Sequence, residues 1–139
     1  MSEQDVELQR RFTEAFNARD VEALIALSDP SVEIHSTFAE LGAVYHGHAG
    51  LRRWHRDFDD AWEEVRVEPE AYFDLGEQIL VLSTWRGRGL HSGVDVVLPA
   101  AQVGRWREGL LTYIKGYAHR EDALEELGVS AEALDPIAP

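Results

Sequence analysis

Apolar positions in the first part of the chain recur with helical spacing. A stripe at i, i+4, i+7 and i+8 predicts a first helix from about Glu3 to Ala18. The members of this stripe are Leu8, Phe12, Ala15 and Phe16. Asp20 then fits the N-cap of a second, shorter helix. That helix is expected to stop at Asp29 and Pro30, because proline lacks the amide proton that would continue it.

A short strand, a loop and a third helix come next. Alternating side chains predict the strand over Val32–His35, and residues 36–47 are expected to form the loop. A second apolar stripe, at i, i+3, i+4, i+7 and i+11, predicts the third helix from about Ala49 to Glu63. That stripe carries Leu51, Trp54, His55, Phe58 and Trp62.

Strand spacing then fills about Val65 to His119. The predicted strands are Val65–Asp74, Gln78–Arg86, Val94–Trp106 and Leu110–His119. The glycine-rich segment Gly87–Gly93 predicts a turn or a bulge. Pro99 is expected at a sheet edge or a bulge, since it cannot donate a hydrogen bond to a neighbouring strand. Glu108 and Gly109 fit a tight hairpin turn.

The end of the chain predicts one more helix, from about Glu121 to Leu127, which stops at Gly128. Residues 129–139 are expected to form a loose tail. Helices followed by strands indicate an α+β fold, and 139 residues fit one domain over 1–139. A folded sheet with helices in its concave side makes a cone, and a cone encloses a cavity.

Charge and composition exclude several classes of function. The formal net charge of -13 argues against nucleic acid and against anionic membrane surfaces, which both need a basic footprint. The chain has no cysteine, so disulfides and thiolate chemistry are excluded. No apolar run approaches the roughly 20 residues that span a bilayer. The acidic N-terminus shows no secretion signal, so a cytoplasmic location is expected by default.

Short segments through nearly the whole chain carry a resemblance to a known family. They are Ala15–Leu24, Pro30–His35, Tyr45–Trp54, Asp74–Ile79, Arg86–Gly89 and Tyr117–Leu124. In this order they resemble the SnoaL-like polyketide cyclase family of the NTF2-like superfamily. The resemblance implies an NTF2-like cone, in which a strongly curved antiparallel or mixed sheet wraps around three N-terminal helices and a short C-terminal helix follows.

The same resemblance implies an apolar cavity and commonly a homodimer through the outer face of the sheet. Relatives include cyclases, steroid isomerases, epoxide hydrolases, dehydratases and binding proteins without catalysis. An acid-base carboxylate in such a cone often needs no cofactor, so we expect none. One departure bears on activity: cyclase-like members usually carry an aspartate at the end of the last strand, and His119 stands there in this chain. This substitution argues against cyclase chemistry.

Strand alternation selects the candidate catalytic residues. If no bulge intervenes, Lys115 and His119 share the face of Leu111, which the family pattern turns into the cone. A desolvated lysine there has a lowered pKa and can act as a base or form a Schiff base, whereas a paired lysine merely packs. His55 lies on the apolar stripe of the third helix, as either a proton-transfer group in the cavity or a hydrogen-bonded core residue.

The candidate ligand-binding residues line the same predicted cavity. They are His35, Trp54, Phe58, Gln102, Tyr113 and Tyr117. Gln102 is included because it shares the strand face of Trp106, which is expected to pack inward. His46 and His48 flank a glycine, but two histidines without a third ligand are a weak signal, and we expect no metal site.

Two functions therefore remain open from the sequence. One is a cofactor-independent isomerase, cyclase or hydrolase that uses general acid-base chemistry on a small apolar molecule. The other is a non-catalytic dimeric module that binds a ligand or another protein. The sequence does not decide whether a reaction is catalysed, because one fold hosts many functions.

Overall fold

The computed structural model describes residues 2–38 and 43–137. Four helices are present there: α1 (Ser2–Asn17), α2 (Val21–Ala26), α3 (Gly47–Ala61) and α4 (Arg120–Leu127). The strands are β1 (Ser28–His35), β2 (Val44–His46), β3 (Trp62–Asp74), β4 (Ile79–Gly89), β5 (Asp95–Arg107) and β6 (Leu110–Tyr117). Residues 39–42 of the predicted loop and 138–139 of the predicted tail lie outside the described residues.

The six strands form one sheet in the order β2-β1-β6-β5-β4-β3. Neighbours run antiparallel except β1 and β6, which are parallel, so the sheet is mixed. The α+β fold with three N-terminal helices and a short C-terminal helix is confirmed. The strand β2 lies inside the segment predicted as a loop. Trp62 and Glu63, predicted as the last residues of the third helix, begin β3 instead.

The helices α1, α2 and α3 pack on the concave side of the sheet and build the main core with it. Its most buried large side chains are Phe12, Leu24, Ile34, Tyr45, Leu51, Tyr72, Ile79 and Leu111. Asn17 fixes the end of α1 to the edge strand β3: its Nδ2 donates to the carbonyl oxygen of Val67 and its Oδ1 accepts from the Val67 amide, both at 2.8 Å. One side chain thus satisfies two backbone groups that an edge strand leaves unpaired.

Local signals in the sequence locate several element ends correctly. The Asp20 side chain accepts a hydrogen bond from the Ala23 amide and caps α2. Gly128 ends α4 with a left-handed φ of 69°. Glu108 and Gly109 both have positive φ, as the predicted hairpin turn requires. The Asp29-Pro30 pair does not stop a helix, however, because α2 ends at Ala26 and both residues belong to β1.

Pro99 lies in β5, where it is paired with Thr84 of β4 on one side only. The strand β6 pairs with β5 from Ala101 onward, so β5 is locally an edge at Pro99. Of the two predicted alternatives, an edge or a bulge, the structure has an edge at Pro99. The missing amide proton therefore costs no hydrogen bond to β6.

A bulge between β5 and β6 decides which side chains enter the cone. Arg105 and Trp106 of β5 pair with Tyr113 and Leu111 of β6. Thr112 is therefore an extra residue of β6 with no partner in β5. Leu111 therefore faces the core, and beyond the bulge Ile114 faces it as well. Side chains of odd number, Lys115 and its neighbours Tyr113 and Tyr117, are turned to the outer face. The predicted inward face of β6 is wrong beyond Leu111, because that prediction required an unbroken alternation.

The outer face of the sheet is partly covered by α4. A second apolar cluster lies between them and contains Phe73, Leu80, Ala101, Val103, Tyr117 and Ala123. In the tail, Ala131–Ala133 form a 3-10 turn, and Ile137 exchanges two backbone hydrogen bonds with Tyr72. The described part of the tail is thereby attached to β3.

Candidate functional site

The cone contains a small cavity between its helices and the concave face of the sheet. Its volume is about 50 Å³. The lining residues are Phe16, Ile34, His35, Ser36, Thr37, Phe38, Trp54, Phe58, Val67, Ser83, Trp85, Ala100, Ala101, Gln102, Ile114 and Gly116. Pockets that bind drug-sized ligands have volumes of roughly 300–1,000 Å³, whereas a single water needs only about 10–15 Å³. The cavity as it stands holds a few non-hydrogen atoms.

Aromatic rings form most of its wall. Trp85 lies at the centre, with the Phe38 ring stacked on it at 4.1 Å and the Trp62 ring edge-on at 4.7 Å. The Trp62 indole donates to the Phe38 carbonyl oxygen at 2.7 Å and holds that backbone in place. On the helix side, Trp54 and Phe58 meet edge to face at 5.3 Å. Phe38 thus occupies space over Trp85 that a flat guest would otherwise fill.

Apart from the His35 imidazole, which bonds Glu33, the polar groups of the lining are neutral and mostly hydrogen-bonded. The Trp54 indole donates to the Ser36 hydroxyl at 3.3 Å. Thr37 donates to the Gly116 carbonyl oxygen at 2.7 Å. The amide oxygen of Gln102 accepts from Gln9 of α1 at 2.9 Å. Among the described lining residues there is no aspartate, glutamate, lysine or arginine.

The structure places His55 outside this cavity. Its side chain is 15% exposed, and its Nδ1 lies 3.7 Å from a carboxylate oxygen of Asp59, one turn along α3. It lines a separate crevice of about 10 Å³ together with Phe16 and Arg19. The apolar stripe of α3 points Trp54 and Phe58 into the cone, and His55 falls at the border of that stripe. The expected projection of His55 into the main cavity is wrong.

Lys115 lies on the outer face of the sheet and is paired. Its Nζ is 3.1 and 3.2 Å from the two carboxylate oxygens of Glu126 in α4. The hydrogen bond from Lys115 holds the pKa of Glu126 below its usual value. The ammonium also lies 5.0 Å from the centre of the Tyr117 ring, and burial raises the pKa of that phenol. The reading of Lys115 as a paired, packing lysine agrees with this geometry.

Tyr113 and His35 also meet on the outer face. Their rings are 5.0 Å apart, and the Arg105 guanidinium lies 4.2 Å from the centre of the Tyr113 ring. The His35 ring bonds Glu33 at 2.5 Å, and this hydrogen bond lowers the pKa of the Glu33 carboxyl. His35 contributes to the cavity lining, but its imidazole is engaged outside. The prediction that Tyr113 and Tyr117 line the cavity is wrong, because the β6 bulge turns both side chains to the outer face.

His119 precedes α4 at its N-cap position and is exposed, with no capping hydrogen bond from its side chain. Its predicted place in the cavity is wrong, because β6 ends at Tyr117 and the chain turns outward there. Four candidate ligand-binding residues do line the cavity: His35, Trp54, Phe58 and Gln102. Their role in binding remains a prediction.

Sequence reasoning missed several residues of the site. They are Gln9, Ser36, Thr37, Phe38 and Ser83. For Gln9 a signal exists: it shares helical spacing with Phe12 and Phe16, so it is a polar residue on an apolar face. Ser83 lies in strand alternation with Trp85 on the inward face of β4. The other three belong to an irregular segment whose side-chain directions no periodicity predicts.

A larger depression of about 680 Å³ lies at the far end of β3, β4 and β5 and is open to solvent. Its arginines are paired with carboxylates in or next to the depression. Arg86 bonds Glu68, and Arg88 bonds Asp95 at 2.8 Å. Such surface pairs are the common way in which exposed charges are placed, and they do not define a binding site. We therefore treat the smaller cavity as the candidate site.

The fold and this cavity define an NTF2-like protein. A family model described as a SnoaL-like domain matches residues 9–114, so the chain belongs to the SnoaL-like domain family. The resemblance seen in the sequence is confirmed. No curated protein matches the chain. In the described ranges, no helix is long and apolar enough to cross a membrane, and no group of three or more metal-ligating side chains is found.

Solved structures share the fold at low sequence identity. An NTF2-like protein of unknown function from Burkholderia pseudomallei has a TM-score of 0.76 and 25% identity, with 88% of this chain and 95% of that chain covered. TerC, co-crystallised with polyporic acid, has a TM-score of 0.75 and 21% identity, with 89% and 97% covered. A ketosteroid isomerase-like protein from Catenulispora acidiphila, in complex with trimethylamine, has a TM-score of 0.73 and 19% identity, with 91% and 95% covered.

Proposed function

We propose that this SnoaL-like protein binds a small, uncharged and largely apolar molecule in the cone. The observation that carries the proposal is the lining itself, in which aromatic walls surround a few neutral polar groups and no described lining residue is an acid, a lysine or an arginine. Binding pockets for small molecules have this composition, with few polar groups that fix orientation. A charged guest would lose its hydration without gaining a counter-ion.

The geometry favours binding over acid-base catalysis by the predicted residues. His55, Lys115 and His119 lie in three separate places, and each faces away from the cavity. A general acid or base must reach the proton it transfers within about 3 Å or through one water. We therefore choose the non-catalytic binding module of the two functions that the sequence left open.

The size of the cavity limits the guest to a few non-hydrogen atoms while the Phe38 ring covers Trp85. The relative from Catenulispora acidiphila was crystallised with trimethylamine, a molecule of that size. TerC was crystallised with the larger polyporic acid. These relatives support the idea that the fold accommodates small organic guests. A larger guest in this chain requires the Phe38 ring to leave its place on Trp85.

Nuclear magnetic resonance titration tests this proposal. Small cyclic ketones and hydrocarbons are added to the protein while the resonances of the Trp54 and Trp85 indoles are followed. We expect saturable shifts in the wild type and their loss in Gly116→Leu, because a side chain at 116 enters open space in the cavity. Lys115→Leu, the adjacent change on the outer face, is the control and is expected to keep the shifts. Shifts that survive Gly116→Leu, or absence of shifts in the wild type, would contradict the proposal.

We also propose a homodimer through the part of the outer sheet face that α4 leaves uncovered. Val97 is 55% exposed there, beside the exposed Pro99. Light scattering of the purified protein is expected to give the dimer mass at tens of micromolar, and Val97→Glu is expected to shift it toward the monomer. A monomer mass for the wild type would contradict the proposed homodimer.

A further inference from the structure

Three side chains on the concave side form a continuous chain of hydrogen bonds that ends at the cavity. The Trp106 indole nitrogen donates to Oε1 of Gln9 at 2.7 Å. Nε2 of Gln9 then donates to Oε1 of Gln102 at 2.9 Å. Gln9 is completely buried, so its amide has no access to water. The polar groups of Gln9 are therefore committed to these two partners.

The direction of this chain follows from the chemistry of its first member. An indole N–H can only donate, so the atom of Gln9 that faces Trp106 must be the oxygen. The amide nitrogen of Gln9 must then face Gln102, and that neighbour must present its own oxygen. The two ends of an amide are otherwise easily confused, but here Trp106 fixes both amides in turn.

The position of Gln9 over β5 depends on Gly104. Residues 102, 104 and 106 share the inward face of that strand, and the Gln9 amide lies across the middle one. A Cβ at position 104 would overlap the side-chain oxygen of Gln9. The glycine therefore leaves the space through which one amide bridges the two residues on either side of it.

The NH₂ of Gln102 is the last group in this series of hydrogen bonds, and the series orients it toward the cavity. Gln102 lines the cavity, and none of the described residues accepts a hydrogen bond from its nitrogen. Ser83 lies one register step away on β4, since it pairs with Ala100 while Gln102 pairs with Val81. Ser83 is only 3% exposed, and its hydroxyl likewise bonds no described residue. A donor and a hydroxyl thus stand side by side in an apolar wall.

We infer that Gln102, oriented by Trp106 through Gln9, is the residue that selects the ligand, and that it selects an uncharged oxygen acceptor such as a ketone carbonyl. This inference rests on the proposed function and names the class of its ligand. A carbonyl oxygen accepts from the Gln102 NH₂ and from the Ser83 hydroxyl. A ligand that presents only donors at this point leaves that NH₂ without a partner, and one without polar atoms gains no hydrogen bond at all.

A matched pair of ligands and a matched pair of variants test this. Cyclopentanone and methylenecyclopentane have nearly the same shape and differ in the oxygen. We expect the wild type to bind the ketone roughly tenfold more tightly, about the value of one hydrogen bond in a buried site. Gln102→Glu, studied at a pH at which its carboxyl is ionised, keeps the acceptor for Gln9 but removes the NH₂ donor, and it is expected to weaken the preference to what the Ser83 hydroxyl supplies. Gln102→Met removes both groups of the side-chain amide and is expected to weaken the preference to the same extent.

The outcomes separate this inference from the proposed function. Equal affinities of the wild type for the two ligands would overturn the inference and leave cavity binding intact. A preference that is undiminished in both variants would overturn it too. If neither ligand binds, the proposed function fails. Hydrogen exchange then tests the hydrogen bonds between Trp106, Gln9 and Gln102: we expect the Gln9 side-chain amide protons to exchange much more slowly than those of Gln102. Equal exchange rates would overturn the assigned direction.

Discussion

The two faces of the sheet carry polar groups of different kinds. On the concave face they are neutral: the amides of Gln9 and Gln102 and the hydroxyls of Ser36, Thr37 and Ser83. On the convex face they are mostly ionic, as in the pairs Lys115–Glu126 and Arg120–Glu70. The difference follows from access to water. A neutral amide inside the cone costs little once it is hydrogen-bonded, whereas an ion there loses its hydration.

This contrast explains why the titratable residues of this chain do not mark its binding site. Lysine and glutamate on the outer face remain partly hydrated, so a pair there is tolerated without being functional. Strongly perturbed groups often indicate active sites, but structural ion pairs perturb pKa values as well. In this molecule the more informative feature is a buried amide whose orientation is fixed by a donor-only neighbour.

The largest effect is expected from replacing one side chain on each face of β4. Trp85 is 3% exposed and forms the centre of the cavity wall, whereas its neighbour Thr84 faces outward and bonds Glu70. Trp85→Ala is expected to lower the free energy of unfolding by about 3–5 kcal/mol, because it removes a large buried ring. Thr84→Ala is expected to cost about 1 kcal/mol or less. Urea unfolding measures both, and similar losses would contradict the assignment of the faces.

Two glycines of the concave face provide the next comparison. A Cβ at Gly104 would overlap Gln9, whereas a Cβ at Gly116 would meet no atom within 4 Å. Gly104→Ala is therefore expected to cost about 1–3 kcal/mol, as overpacking does, and to break the Trp106–Gln9 bond. Gly116→Ala is expected to be neutral or slightly stabilising, since alanine loses less entropy than glycine on folding.

Thermal unfolding together with the indole proton resonance of Trp106 checks this pair of changes. The resonance is expected to move upfield in Gly104→Ala and to stay in place in Gly116→Ala. If both variants unfold like the wild type, or if Gly116→Ala is the more damaging one, the described packing of Gln9 over β5 is wrong.

Most of the fold was predictable because it rests on periodicity and on local turn chemistry. The face of β5 that carries Gln102 and Trp106 followed from simple alternation, which holds along that strand. The face of β6 did not, because one extra residue near Thr112 reverses every later side chain, and no residue type there announces a bulge. Lys115 and His119 were misplaced for this reason, and also because β6 ends early.

The cavity itself was predictable only in outline. The cone follows from the order of helices and strands, and Trp54 and Phe58 follow from the stripe on α3. The volume of about 50 Å³ depends on how the Phe38 ring stacks on Trp85, a contact between distant segments that periodicity does not encode. The Gln9–Gln102 bond, between α1 and β5, is likewise a tertiary contact.

A smaller effect is expected where α4 is attached to the sheet. Arg120 donates to the carbonyl oxygens of Ala100 and Ser83 at 3.2 and 2.7 Å and to Glu70 at 2.7 Å. Arg120→Met is expected to cost about 1–2 kcal/mol, because it removes a charged donor from two partly buried carbonyl groups. The exposed Arg107, changed to Met, is the control and is expected to cost less than about 0.5 kcal/mol. Guanidinium chloride unfolding gives both values, and equal costs would contradict a role for Arg120 in fixing α4.

The smallest effect is a pH dependence that separates the two possible places of Lys115. The pKa of Glu126 is lowered by its hydrogen bond with Lys115, so this pair stabilises the fold above the usual carboxyl pKa and stops doing so as pH falls through the lowered value. Because both groups are partly exposed, Lys115→Met is expected to cost about 0–1 kcal/mol at pH 7 and to cost less near pH 3.

The sign of this difference is the decisive observation, and urea unfolding of both proteins at the two pH values measures it. A lysine buried in the apolar cone would be strained in its charged form, so its replacement by methionine would stabilise the protein, and more so as pH falls. Glu126→Gln serves as the matched control from the other partner, with the same expected loss at pH 7. A gain in stability for Lys115→Met at pH 3 would indicate that the lysine lies in the cavity, and it would contradict the contrast between the two faces.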